Sequence, residues 1–336
     1  LDNAQREGGG IVFLPGGDYV IRGNLAIPTG VELKGVYDVP HHTIGGGSVL
    51  QVYTGRGEAN GPAVITMRPE SGMAGLSFNY PEQRADAVAD YPFLIRGAGS
   101  GIYIVNVNCA NACRFVDLAS NRCDNHYVDY LSGAPLKVGV QVGAGSRDGV
   151  IENLQFNPHY WNRTPRGRFY KHKPGGGITA GTGKALWEYQ KNNLDALVFG
   201  HCVNQVQLQN FVYGSLYGIH FVKEKTGSAR GGFILGHGTD GSKISAYFEA
   251  TGAGGLHLVN TELVCMAAKN KEYIVCAKHV GGEIVLHNTM LWGRPDRSGT
   301  VAGGRLVLQQ AAFARHGGGF RMRGGALSLI NCRYLR

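Results

Sequence analysis

Residues 256–288 read LHLVNTELVCMAAKNKEYIVCAKHVGGEIVLHN, and one five-residue phrase, apolar-x-apolar-x-Asn, opens and closes the stretch. The phrase recurs at Ile102–Asn106, Val206–Asn210 and Leu327–Asn331. Ile151-Glu-Asn153 shares its ending, and Leu306–Gln310 carries Gln in the last place. Glycine takes the final position at Val31–Gly35, Met73–Gly75 and Ile234–Gly236. The terminal positions are then 35, 75, 106, 153, 210, 236, 260, 288, 310 and 331. The later ones stand 21 to 28 residues apart and the earlier ones up to 57.

Two or three short strands per 21 to 28 residues cannot bury an apolar face alone and must stack on their neighbours. The expected fold is therefore an all-β parallel β-helix, a solenoid running through residues 1–336 as one domain. Asn at the same place in successive coils suits a bend, where it tolerates left-handed backbone and can hydrogen-bond to the Asn one rung away, at about 4.8 Å. These asparagines read as structural.

Composition agrees. The 53 glycines have no collagen-like period and fall between Val, Ile and Leu-rich runs, which predicts many turns and little helix. A hydrophobic content of 43% in 336 residues is enough for a large core. The net charge of +9 would attract a polyanion without saying which one. The seven cysteines lack paired CxxC spacing and read as buried thiols, with one disulfide within 109–123 as the alternative. No run of about 18 apolar residues is present, so no membrane span is expected. The chain opens on LDNAQREGGG without Met. That reads as the tail of a helix whose start, with any export signal, has been removed.

Stretches between the terminal positions look like insertions: VYDVPHHTIGGG after Gly35, NYPEQRADAVADY after Gly75, NCANACRFVDLASNRCDNHYVDY after Asn106, and NPHYWNRTPRGRFYKHKPGGG, residues 157–177, after Asn153. Loops leaving one side of a solenoid in adjacent coils lie side by side and commonly form its binding face. Asp38, His41, His42, Glu82, Asp124, His159 and Arg163 are candidates for catalysis. Adjacent histidines beside an Asp offer a base near neutrality, and a glycosidase needs two carboxyl groups flanking the bond. Tyr80, His126, Tyr127, Tyr160, Trp161, Asn162, Arg168, Lys171 and Lys173 supply aromatic faces and cations suited to an acidic oligosaccharide. GHGTDG, residues 236–241, reads as a turn that brings His237 and Asp240 toward the groove.

The opening run GGGIVFLPGGDYVIRGNLAIPTGVELKG, Gly8 to Gly35, resembles the start of the pectate-lyase superfamily, in which a capping helix precedes the first coil. The resemblance implies a right-handed parallel β-helix of the glycoside hydrolase and polysaccharide lyase kind. Arg163-Thr-Pro-Arg-Gly-Arg168 resembles the R-x-P-x-x-R of pectate lyases, which would make Arg163 the base. The W-x-D-H partner motif is missing, and so is an Asp cluster for Ca2+. Gly236-His-Gly238 resembles the G-H-G of polygalacturonases, without their N-T-D and paired Asp.

The expected function is cleavage of glycosidic bonds in an acidic poly- or oligosaccharide by a secreted or periplasmic monomer, with hydrolysis ahead of lyase β-elimination. No cofactor is expected; Ca2+ enters only with a lyase. A carbohydrate-binding or tailspike-like module is the non-enzyme alternative. Its trimer seam is disfavoured by polar outward positions such as Gln207, His257, His287 and Ser328. Neither nucleic-acid nor membrane partners are expected.

Overall fold

The computed structural model describes residues 1–40, 42–164, 180–266 and 269–335. Its coils turn at residues with positive φ: Gly75, Asn106, Tyr130, Asn153, Gln209, Gly236, Asn260, Asn288, Gln310 and Asn331. Gly75, Asn106 and Tyr130 bend the strands that contain them, the others follow a strand, and neighbouring coils pair these strands in parallel, so the architecture is a parallel β-helix. The corners need left-handed backbone, which Gly and Asn adopt most readily, and this is why the Asn and Gly endings repeat. Asn288 Nδ2 donates to Asn260 Oδ1 at 2.9 Å, joining two successive corners.

The chain forms two compact units, residues 1–140 with 154–190, and residues 141–153 with 191–336. In the first, the short helix Asp2–Arg6 precedes strand Gly10–Leu14. That strand begins a parallel ladder through Val31–Gly35, Gly72–Asn79, Tyr103–Cys109 and Tyr127–Gly133. Leu33, Met73, Ile104 and Val128 stack in register and are buried. A second run pairs Leu25–Ile27, Ile65–Met67, Phe93–Gly97 and Arg114–Leu118.

The second unit has three strand runs per coil. The first stacks Ile234, Leu258, Leu286 and Leu308 in register. The second contains Phe211–Tyr213, Gly238–Ser242, Glu262–Cys265, Met290–Gly293 and Ala312–Phe313. In the third, Phe199, Phe221 and Phe248 stack ring on ring at 5.3 Å between successive centroids. Each ring buries on the one below, which gives the coils their core.

Three expectations are corrected. Residues 108–130 are not an insertion but an ordinary coil: Arg114–Leu118 joins the second run, and Tyr127–Gly133 joins the ladder with Tyr130 at its corner. Tyr is an unusual corner residue, so the Asn and Gly pattern missed it. The corner near 210 is Gln209, while Asn210 is buried and donates to the Ile151 carbonyl at 2.9 Å. That one-residue slip inverts the strand, because side chains alternate with a period of two. Gln207, expected outward, pairs with Ile151 and Ile234 and is buried. His257 does face outward. Helix is scarce, as expected; the longest among the described residues, Ala180–Asn193, is a 14-residue helix inside the insertion that follows Asn153. All seven cysteines are free, six of them buried.

Candidate functional site

In the first unit the insertions do converge, but they close over the strand face they reach. Ile44, Ala85 and the pair Trp161 and Leu186 come from three insertions and pack with Val49, Ala110, Ala134 and Leu136 in one buried cluster. Trp161, expected to stack on sugar, is the largest side chain of that cluster and offers no free face. Tyr80 is fully buried with its ring 4.8 Å from Tyr91. Tyr160 and His126 are buried as well; His126 Nδ1 lies 2.7 Å from the Cys123 carbonyl. These four positions are core rather than groove lining.

Beside this cluster runs a polar column, Ser77, Asn108, Ser132 and Gln155, set rung on rung by the ladder register. Asn108 donates to Ser132 Oγ at 2.7 Å, and Tyr160 donates to Gln155 Oε1 at 2.9 Å. His42 sits at its end in left-handed backbone, φ 58°. Its Nε2 accepts from the amides of Gln155 at 2.9 Å and Asn157 at 3.3 Å, which places the ring proton on Nδ1. The rings of His159 and Tyr160 lie 5.8 and 5.5 Å away, so three expected residues do meet.

The carboxylates expected beside them are engaged locally. Asp38 accepts from the Gly46 backbone N–H and organises its own loop instead of orienting a histidine. Asp124 is paired with Arg122 at 2.8 Å. Glu82 lies near Tyr91 and raises its phenol, though less than burial does. Arg163 is exposed at the end of helix His159–Asn162, and its carbonyl accepts from Thr43 at 3.3 Å. Asn162 is half-buried and Tyr127 is exposed at the start of its strand. His41, Arg168, Lys171 and Lys173 lie outside the described residues.

The second unit brings two acids together on one outward strand face. Counted from the corners Gln209, Gly236, Asn260 and Asn288, the fourth residue onward is Tyr213, Asp240, Val264 and Trp292, and the second is Phe211, Gly238, Glu262 and Met290. Asp240 and Glu262 are thus diagonal neighbours on adjacent rungs. The register shifts between Thr239 and Ser242, with Gly241 at φ 68° immediately after Asp240. A bulge of this kind turns a side chain away from the regular pleat and is common beside active sites.

The environments of the two acids differ. Asp240 is half-buried, and its Oδ1 is buried without a hydrogen-bond partner among the described residues. Burial first, and then the Glu262 charge, push its carboxyl above the usual range. Glu262 is exposed and accepts a hydrogen bond from the indole Nε1 of Trp292. The Tyr213 phenol is raised by burial and by Asp240. His237, one turn upstream, is fully buried and bonded to Thr239 Oγ1 at 2.7 Å. Burial pulls its ring down to about 4, so it stays neutral and braces the strand without lining a groove. Beyond Trp292 lies a cavity of about 240 Å³ lined by Met266, Trp292, Gly293, Arg294, Ala314 and Arg315.

Glu262 and Trp292 escaped the sequence reading. Aligning the coils on their corners would have placed Asp240 and Trp292 in one column with Glu262 beside them. A second group also went unseen: His220 Nδ1 lies 2.7 Å from Asp195 Oδ2, its Nε2 lies 3.5 Å from Glu249, and its ring stacks on Tyr247 at 4.6 Å. No cluster of three or more His, Cys, Asp or Glu among the described residues has the geometry to hold a metal ion.

The fold so built is shared with solved structures of low sequence identity. A surface adhesin of Streptococcus pneumoniae, PfbA, superposes with TM-score 0.62 at 11% identity, over 99% of this chain and 85% of that one. DFA-IIIase from Arthrobacter chlorophenolicus superposes with TM-score 0.55 at 10% identity, over 98% and 82% of the two chains. The A-module of mannuronan C-5 epimerase AlgE6 from Azotobacter vinelandii gives 0.51 at 11%, over 100% and 93%. No family model and no curated protein matches the chain. The protein is a parallel β-helix. At these identities the likeness speaks for the fold alone.

Proposed function

We propose that this protein is a glycoside hydrolase in which Asp240 is the general acid and Glu262 its carboxylate partner. One observation carries the reading: two carboxyl groups on adjacent rungs, the first half-buried and shifted toward its protonated form by burial and by the second. Hydrolysis of a glycosidic bond uses such a pair, one acid protonated to release the leaving oxygen and one ionised to act on the opposite side of the sugar. Trp292 holds Glu262 through its indole N–H and presents an aromatic face of the kind sugars stack on. Carbohydrate enzymes among the structural neighbours, DFA-IIIase and a mannuronan epimerase, are consistent with a poly- or oligosaccharide substrate. A secreted or surface location accords with this reading, and no helix among the described residues is long and apolar enough to cross a membrane.

A panel of acidic and neutral polysaccharides tests it, with reducing ends and the near-ultraviolet absorbance of unsaturated products followed together. New reducing ends without absorbance, abolished in Asp240→Asn and Glu262→Gln, are expected. Absorbance rising in step with reducing ends would replace hydrolysis by β-elimination and return attention to Arg163 and His42. Binding without turnover anywhere in the panel would make this a carbohydrate-binding module and overturn the hydrolase reading.

A further inference from the structure

The His220 group on the third strand run takes no part in the hydrolytic reading. Val198, His220 and Tyr247 pair in register, each one residue before the stacked inward rings of Phe199, Phe221 and Phe248, so their side chains point outward. His220 is buried all the same, because the Tyr217 and Tyr247 rings lie 4.8 and 4.6 Å from its own. Asp195 opens strand Asp195–Phe199, and Glu249 falls where the register shifts between Phe248 and Ala250, a bulge of the kind that re-aims a side chain. Three successive coils thus set two carboxylates against one imidazole.

What the group lacks is a donor. With His220 Nδ1 donating to Asp195 Oδ2 at 2.7 Å, Nε2 is left as an acceptor, 3.5 Å from Glu249 Oε2 and without a hydrogen bond. Asp195 Oδ1 is buried without a hydrogen-bond partner among the described residues as well. Burial raises the Asp195 carboxyl above its usual range despite the His220 hydrogen bond, and the Glu249 charge adds to the rise. Other carboxylates of the unit have a cation: Glu272 pairs with Arg297 at 3.5 Å and Glu283 with Arg305 at 3.3 Å. Among the described residues, Asp195 and Glu249 have only the imidazole as an ion-pair partner.

We propose that this group binds a primary ammonium, at a site separate from the acid pair on the second strand run. An ammonium carries three N–H donors and no acceptor. It complements a cluster whose unused atoms are His220 Nε2, Asp195 Oδ1 and the Glu249 carboxylate. A neutral hydroxyl meets the lone pairs but leaves the charge unbalanced, and a carboxylate is repelled. Tyr217 and Tyr247 add the attraction of aromatic faces for a cation. The Glu249 side chain is 41% exposed, which puts the entrance on its side. The two carboxylates and the imidazole do not have the geometry to hold a metal ion. An amino sugar and a linear polyamine both carry the required group.

Calorimetry on the full chain carrying Asp240→Asn, so that no ligand is cleaved, tests the site with a glucosamine tetramer, its N-acetylated counterpart and spermidine. At least one of the amines is expected to bind about tenfold or more tightly than the N-acetylated sugar. Glu249→Gln in the same background should weaken that binding roughly ten- to hundredfold, the loss typical of a hydrogen bond to a charged group. Tyr217→Leu should weaken it roughly three- to thirtyfold. Glu262→Gln, on the second run, should leave it within about twofold. The Glu249 side chain is partly exposed, so the fold should survive its replacement, and an unchanged melting curve confirms that. Tight binding of glucosamine alone identifies an amino-sugar site and of spermidine alone a polyamine site; either sustains the inference. Amine binding that ignores both Glu249→Gln and Tyr217→Leu overturns it, as does binding lost with Glu262→Gln, which would put the amine on the acid pair. Equal binding of the N-acetylated sugar overturns it too. None of these readouts uses turnover, so failure of the hydrolase reading would leave this site standing.

Discussion

Asp240 does most of the chemistry proposed, and its raised carboxyl has a thermodynamic consequence that separates function from stability. A carboxyl that holds its proton more tightly in the folded state contributes stability that is fully present below its unfolded value, about 3.9, and lost as pH rises through the folded value. At neutral pH the ionised Asp240 therefore opposes folding. Asp240→Asn should lower turnover roughly 10²- to 10⁴-fold, the usual worth of a positioned acid, while raising the melting temperature at pH 7 by an amount worth under about 1 kcal/mol, since the site is half open to solvent. Melting curves and turnover of the pair of proteins check both signs. Turnover of the unaltered protein should fall on the alkaline side as Asp240 ionises.

His237 runs the other way. Its ring is pulled down to about 4 by burial, so the stability it allows is present above its unfolded value, about 6.5, and lost as pH falls toward 4. Denaturant titrations of the unaltered protein and of His237→Gln should show a stability difference that shrinks by about 3 kcal/mol between pH 7 and pH 4, some 2.5 pH units at 1.36 kcal/mol each. A difference independent of pH would mean that the ring is already hydrated in the folded state.

At the scale of the element, the corner decides the coil. Asn288 holds φ at 52° and donates to Asn260, so alanine there loses a hydrogen bond and strains the backbone. Asn288→Ala should cost about 2 kcal/mol, one to two for left-handed backbone and up to one for an exposed hydrogen bond. Asn288→Gly keeps the backbone relaxed and should cost less. A urea midpoint ordered unaltered, Gly, Ala would bear this out; Gly below Ala would mean the side chain matters more than φ. The insertions show a different logic. Trp161 anchors helix and loop segments onto Ala110 and Ala134, and Trp161→Ala should cost about 3–5 kcal/mol, as large core truncations do. What the corner does for a strand through one dihedral, the insertion does through buried area.

Over the whole molecule, aromatic and histidine-rich segments in one unit and a carboxylate pair in the other pull a functional reading in two directions. Arg163→Ala and Asp240→Asn, assayed on the same substrate, decide between them: the first should leave turnover within about twofold, as surface substitutions away from a site do, and the second should nearly abolish it. The reverse result would return the chemistry to the insertion face.

The parallel β-helix was legible because left-handed corners admit so few residues. Asn260, Asn288 and Asn331 announce themselves in a list of letters, and the strand phrase before each follows from burying every second side chain. Where a corner holds Tyr130 or Gln209, the same signal disappears, and with it the extra coil and the true facing of Gln207. Insertions could be located but not their outcome, since an aromatic such as Trp161 can line a groove or fill a core, and only the packing of several distant loops settles which. The acid pair was least visible of all. Asp240 and Glu262 are 22 positions apart and individually ordinary. Coil geometry alone sets them on adjacent rungs, where burial and mutual repulsion give one carboxyl a different proton affinity from its free value. Local backbone preference thus wrote the repeat into the sequence, while the proximity that makes chemistry arose only when the coils were stacked.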